Sequence, residues 1–295
     1  MAKQMKTIDG NTAAVHVAYA LSDVAAIYPI TPSTGIMEAF TSFVSNGKVD
    51  TETILVESEH SAMAVCIGGA ASGARTFTTS SSNGIAYMAE NVVAAALLRL
   101  PVVMVAANRT LGPPWNIWAD HGDTLMLRDS GWIQIYCADN QEVLDSVLCA
   151  FRLAEELRIL LPALVCQEAF VLSHTIAQTE VPTQAQVDRF LPPLDLPGRL
   201  DRTARVVGGL TVPQTTEVHR AQHHEAMGRL WEVYREVQDQ FEEVFGRRPA
   251  DPVVPYRADD ADVLVVSMGT IGSTVERAVD VARERGIRLG GLRVR

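Results

Sequence analysis

Glu59 is the residue in this sequence best placed to do chemistry. It stands in Glu57-Ser58-Glu59-His60-Ser61, where an apolar, strand-like run at 53–56 gives way to a helix of small residues. A carboxyl group at the end of a buried strand can hydrogen-bond a ring nitrogen of an enclosed cofactor. Thiamine diphosphate needs such a partner, because an acid facing N1′ of its aminopyrimidine favours the imino tautomer that removes the thiazolium C2 proton. A carboxylate in a first helical turn also meets the positive end of the helix dipole. Spacing alone leaves both roles open, and Glu57 is the rival acid.

Three more polar turns follow strand-like runs: Tyr28-Pro29-Ile30-Thr31-Pro32, the hydroxyl-rich stretch 79–84, and Asn108-Arg109. In an open parallel sheet such turns share one edge, the edge where these folds bind ligands. Arg109 can grip a carboxylate with two parallel N–H donors, or form a surface ion pair. Thr31 can cap a helix that has Pro32 at its first position, and its hydroxyl can still face a ligand. The stretch 78–84 reads equally as an anion-binding nest or as a plain capped turn. The long turn at 108–122 holds Trp115 and Trp118, which suggests a loop folded onto something. Asp120, His121 and Asp123 hint weakly at a metal. Met268-Gly269-Thr270-Ile271-Gly272 looks like half of a dinucleotide fingerprint, but a further glycine and the acidic residue after a second strand are missing, and a tight turn is the favoured reading.

The elements that must position these residues alternate. Helices are expected at 11–21, 34–44, 61–73 and 85–98, and one begun by an Asp139/Glu142 capping box runs to 157. Strands are expected at 24–28, 53–56, 75–79, 102–107, 133–137 and 163–167. Such alternation implies an α/β fold, a doubly wound, mostly parallel sheet covered on both faces. From 177 to 214 the pattern stops, and Pro182, Pro192, Pro193, Pro197 and Pro213 mark an extended linker. One amphipathic helix is expected at 224–245, its apolar stripe packing on the core or another subunit. Then come a strand at 262–267, a helix at 274–285 and a strand at 289–294. A single βαβ unit cannot cover its strands alone, so either the chain ends partway into a second α/β domain or another polypeptide completes it.

The net charge of −10 over 295 residues argues against nucleic-acid partners. The composition, 47% hydrophobic and 20% charged, is that of a globular protein. No secretory signal or membrane span is read, which suits the cytoplasm. Cys66, Cys137, Cys149 and Cys166 lie in apolar runs without CxxC spacing, so buried free thiols are expected, and no iron–sulfur cluster on this chain.

Several segments, in order, carry a resemblance. Residues 28–33 (YPITPS), 57–60 (ESEH), Asn108-Arg109, 112–118 (GPPWNIW), 127–132 (LRDSGW) and 172–175 (LSHT) resemble the alpha subunit of 2-oxoacid:ferredoxin oxidoreductases, most closely its pyruvate members (pyruvate synthase). The resemblance covers 5–295. It implies a thiamine pyrimidine-binding domain at 1–176, a linker and amphipathic helix at 177–250, and at 251–295 the start of a transketolase C-terminal-like domain, truncated relative to the family. It implies that Glu59 activates thiamine diphosphate, with Pro29 and Ile30 beside the cofactor, and that Thr31 and Arg109 hold the 2-oxoacid carboxylate. The Mg2+ and diphosphate ligands would lie on a beta subunit, and the [4Fe-4S] clusters on beta and delta subunits, with a gamma subunit completing the assembly. The implied reaction is oxidative decarboxylation of pyruvate with coenzyme A to acetyl-CoA and carbon dioxide, electrons passing to ferredoxin. Other 2-oxoacids (2-oxoglutarate, branched-chain, oxalate), a nucleotide-binding protein or a non-catalytic subunit are the alternatives.

Overall fold

The computed structural model describes residues 4–47, 49–201 and 206–295. Its elements begin with β1 (Gln4–Ile8), α1 (Gly10–Leu21), β2 (Val24–Ile27), α2 (Thr34–Ser45), β3 (Glu52–Leu55) and α3 (Glu59–Ala71). Next come β4 (Thr76–Ser80), α4 (Ser82–Tyr87), α5 (Ala89–Leu97), β5 (Val102–Asn108), α6 (Gly122–Leu125) and β6 (Ile133–Tyr136). The chain continues through α7 (Asn140–Ala154), β7 (Ala163–Glu168), β8 (Ala177–Val181), α8 (Gln184–Phe190), α9 (Pro213–Gly228) and α10 (Leu230–Phe245). Last are β9 (Val253–Tyr256), β10 (Val263–Met268), α11 (Ile271–Glu284) and β11 (Leu289–Val294).

Six strands pair in parallel in the order β3-β2-β4-β5-β7-β6. All six coincide with strands expected from the sequence. The near-continuous apolar runs are explained by burial of both sheet faces. In β5, Val103 and Val105 join a core with α1, α2 and α7, while Val102, Met104 and Ala106 join a second core with α3, α4 and α5. The chain steps from β2 outward to β3, then returns to β4 on the other side. The carboxyl ends of β2 and β4 therefore flank a reversal of strand order, the ordinary place for a ligand crevice.

Local chemistry fixes the helix starts. Asp9 accepts from Thr12 N at 2.7 Å at the head of α1. Asp139 accepts from Glu142 N at 2.8 Å, but Glu142 reaches back one residue beyond the expected capping box, to Ala138 N at 2.8 Å. All four cysteines are free and buried. Burial pushes the Cys66 thiol up to about 12.

Several elements differ from the sequence reading. The helix at 85–98 breaks at Met88, whose ψ is near zero and whose side chain is fully buried. Residues 177–214 are not simply extended: β8 pairs antiparallel with β1, an element the sequence did not suggest, and α8 is closed by a Thr183/Gln186 capping box. The prolines flank these elements instead of abolishing them, and Pro213 opens α9. The helix at 224–245 is two helices, α9 and α10, meeting at Arg229. The α10 stripe packs inward, with Phe241 5.3 Å from Phe190 and 4.3 Å from Phe245, ring centre to ring centre. At the end of the chain β10 and β11 are parallel, and β9 adds an unexpected antiparallel third strand. Among the described residues no helix is long and apolar enough to cross a membrane.

Candidate active site

The carboxyl edge of the six-stranded sheet gathers Glu59, the turn 28–33, the turn 80–84 and Arg109, as the sequence suggested. Glu59 opens α3 behind its N-cap Ser58, whose hydroxyl accepts from Ser61 N at 3.2 Å. Ser61 in turn donates to Glu57 at 2.5 Å, so the rival acid is held at the surface by its own helix. That bond lowers the pKa of Glu57. Glu59 is 7% exposed, yet its carboxylate has no hydrogen-bond partner among the described residues. A Cβ on Gly84 would sit 2.5 Å from Glu59 Oε1 and 2.5 Å from Ser80 Oγ. Ser80 Oγ is buried without a partner. Close approach of the carboxylate to α4 therefore requires glycine at 84.

Four further hydroxyls of this strand and turn are engaged, while Thr76 Oγ1, at the far end of the strand, is buried without a partner. Thr78 donates to Ala26 O at 2.7 Å, Thr79 to Val105 O at 2.9 Å, Ser81 to Ala107 O at 2.6 Å and Ser82 to Thr110 O at 2.6 Å. They stitch β4 and its turn to the neighbouring strands; Ser81 makes no side-chain cap bond at the head of α4, where the Ser82 N–H is taken by the Asp123 carboxylate instead.

Arg109 is 9% exposed and reaches across the edge, donating from Nη1 to Thr31 O at 2.5 Å. Its Nε has no partner. Burial lowers its pKa from the ordinary value while the charge of Asp123 opposes that shift. The structure thus brings together Thr31 and Arg109, with Pro29 and Ile30 in the same turn. Ile30 O accepts from Ser33 Oγ at 2.8 Å, and the Thr31–Pro32 peptide is cis.

Two supports of this edge escape sequence reasoning. Asn11 of α1 donates to Pro32 O at 3.0 Å and accepts from Gln167 at 2.8 Å, buttressing the turn from beneath. Asp123 is fully buried and accepts from Ser82 N, Arg109 N and Asn108 Nδ2 at 2.9, 2.9 and 2.8 Å. Burial pushes its carboxyl above the usual carboxylate range, against these N–H donors, which favour the charged form. Both Asp123 oxygens thus face N–H donors of the site's own wall. Asp120 accepts from Gly122 N at 2.7 Å, and His121 lies 3.2 Å from Glu168. No group of acids, histidines and cysteines suited to a metal occurs among the described residues.

The 110–120 loop crosses the site's rim with Trp115 and Trp118 67% and 63% exposed. Trp118 rests on Phe170, ring centres 5.2 Å apart, and Gly112 N donates to Asn83 at 3.3 Å. The glycines at 269–272 build a docking turn instead of a nucleotide site. Gly269 has φ +69°, and Thr270 N donates to Glu168 at 2.9 Å, its hydroxyl also reaching that carboxylate. The N-terminus of α11 thus already faces an anion from the chain itself.

A family model described as the thiamine diphosphate-binding domain of pyruvate flavodoxin/ferredoxin oxidoreductase matches residues 16–239, and one described as core domain II of pyruvate:ferredoxin oxidoreductase matches 261–295. The chain belongs to the 2-oxoacid:ferredoxin oxidoreductase family. It is 44% identical, over 99% of its length and 76% of the relative's, to pyruvate synthase subunit PorA of Methanocaldococcus jannaschii. It is 43% identical, over 98% of its length and 74% of the relative's, to ketoisovalerate oxidoreductase subunit VorA of Pyrococcus abyssi. The fold is that of a solved 2-oxoglutarate:ferredoxin oxidoreductase from Magnetococcus marinus (TM-score 0.77, 15% identity). That match covers 99% of this chain and about half, 54%, of the other. Within the family the chain is one subunit of a multi-subunit oxidoreductase and carries its thiamine diphosphate-binding domain. The residues at the carboxyl edge suit that cofactor: a buried acid, an unpartnered buried hydroxyl (Ser80) and a guanidinium with an unpartnered Nε (Arg109) all lie along it.

Proposed function

We propose that this chain supplies the pyrimidine side of a shared thiamine diphosphate site for the oxidative decarboxylation of pyruvate, with coenzyme A as acyl acceptor and ferredoxin as electron acceptor. The observation carrying this reading is the placing, on one sheet edge, of the buried Glu59 carboxyl, which no described residue hydrogen-bonds, and an Arg109 whose Nε is unpartnered. Bound cofactor would supply the electron sink for decarboxylation. Glu59 would hold a proton against the pyrimidine N1′, in the space that the missing side chain of Gly84 leaves for its carboxyl. Pro29 and Ile30 would flank the ring. Arg109 would orient and neutralise the substrate carboxylate through its fork of N–H donors, and the Thr31 hydroxyl would hydrogen-bond it.

The apolar rim at Trp115, Ile117 and Trp118 suits cover by another chain, since exposed apolar clusters mark interaction surfaces. We assign that cover to a beta subunit bringing the Mg2+ and diphosphate ligands, with gamma and delta subunits and the [4Fe-4S] clusters completing a cytoplasmic complex. The division at 1–176, 177–250 and 251–295 belongs to the same reading. Relatives named for ketoisovalerate match this chain at 42–44% identity, as well as those named for pyruvate, which favours a branched-chain 2-oxoacid as the second reading. Low-potential dye reduction by the assembled enzyme, compared across pyruvate, 2-oxoisovalerate, 2-oxoglutarate and oxalate, decides the substrate. A kcat/KM at least about tenfold higher for pyruvate, or about 1.4 kcal/mol, is expected. Preference for another acid overturns the assignment.

A further inference from the structure

Asp123 lies behind the site, on the short helix α6, and reaches two different walls of it. Its Oδ2 accepts from Arg109 N and Ser82 N, both at 2.9 Å. Arg109 carries the guanidinium arm. Ser82 opens α4, two residues before the Gly84 that walls Glu59. Its Oδ1 accepts from Asn108 Nδ2 at 2.8 Å, and the same amide donates to Thr124 Oγ1 at 2.8 Å, locking α6 to the end of β5. Ser82 is held at φ 49°, a backbone state rare for a residue with a side chain, and the bond from its N–H to Asp123 secures it. Asp123 is fully buried, whereas a helix cap of ordinary kind sits at the surface. A carboxylate is suited to this task because it accepts from three donors at once, each of which would otherwise be stranded away from water.

We propose that Asp123 is a positioning residue for the 2-oxoacid: tied to Ser82 N on one side, it holds the backbone of Arg109 so that the guanidinium arm is presented to the substrate carboxylate. The inference rests on the substrate role given to Arg109 above. Removing Asp123 frees the backbone of Arg109 and lets the guanidinium wander from the place where it meets the substrate. Such a change weakens carboxylate binding before it touches events at the cofactor.

The test is steady-state kinetics on the assembled enzyme with its preferred 2-oxoacid, using Asp123→Ala, Asp123→Asn and Arg109→Ala. Asp123→Ala is expected to raise the 2-oxoacid KM about tenfold or more while changing kcat and the coenzyme A KM by less than about threefold. Asp123→Asn keeps one oxygen facing both backbone N–H groups and is expected to recover most of that KM. A role confined to folding predicts the reverse, fewer active molecules at an unchanged KM, and that result overturns the proposal. Should the alanine protein fail to assemble, Asn108→Ala removes the 2.8 Å side-chain donor and leaves both backbone bonds. It is expected to raise the same KM about twofold to fivefold, and an unchanged KM there overturns the proposal too. Arg109→Ala separates the two levels. If it raises KM and Asp123→Ala does not, the positioning role alone falls. If neither does, the substrate reading of Arg109 falls with it.

Discussion

Gly84→Ala puts a single methyl group at the most crowded point of the site. The new Cβ would stand 2.5 Å from Glu59 Oε1, 2.5 Å from Ser80 Oγ and 2.9 Å from Glu59 Cδ, whereas ordinary contact begins near 3.4 Å. The carboxylate must therefore retreat by about 0.9 Å, because the methyl is fixed to the helix backbone and cannot rotate away. A displacement of that size at a reacting group costs on the order of 10²-fold in rate, or about 2.7 kcal/mol of barrier. Alanine is otherwise the better helix residue, by about 1 kcal/mol. Thermal unfolding of the chain should thus show little loss, while dye reduction by the assembled enzyme collapses. Turnover within about twofold of wild type would refute the reasoning, since the carboxylate could then tolerate the shift.

Arg109→Lys should raise the 2-oxoacid KM about tenfold or more, because a lysine offers one mobile ammonium in place of a planar fork; an unchanged KM argues against carboxylate binding there. The docking of 251–295 should loosen in acid. Glu142 and Glu168 are both held below the usual carboxylate range against the opposing effect of burial, Glu142 by Arg295 and Arg293, and Glu168 by His121 and Thr270. Their stabilisation is present above the unfolded value of about 4.3 and is lost as pH falls through the lower folded values. Protection of amides in β10 and β11, taken relative to their intrinsic exchange rates at each pH, should fall below about pH 4, and the Glu142→Gln protein should lose part of that dependence; protection independent of pH contradicts it. The chain alone should bind thiamine diphosphate no tighter than about 1 mM, roughly −4 kcal/mol; micromolar binding by calorimetry contradicts a shared site.

The parallel sheet was legible because β4, β5 and β7 are buried on both faces and leave unbroken or hydroxyl-bearing apolar runs between small-residue helices. The pairing of β1 with β8 was not, because their partners lie far apart in sequence and Pro182 at the strand's end reads as a linker signal. The position of Glu59, Thr31 and Arg109 along one sheet edge was legible, since each lies in a polar turn that follows a strand. Asp123 was not, although it organises the same edge: it accepts from backbone N–H groups of Ser82 and Arg109, which leave no side-chain signature, and beside His121 it looks like a stray metal ligand. Asn11 is hidden for the same reason, since it supports the carbonyl of Pro32. Gly84 reads as an ordinary turn glycine until Glu59 is seen against it.

The most direct test of the central claim is exchange of the cofactor's C2 proton into deuterated solvent, followed by NMR in the assembled enzyme for wild type and Glu59→Gln. Glutamine keeps the shape of the side chain but cannot carry the proton. Exchange slowed by about 10²-fold or more, in a protein as stable as wild type, is the expected result. Exchange at the wild-type rate would contradict a role for Glu59 at the pyrimidine ring.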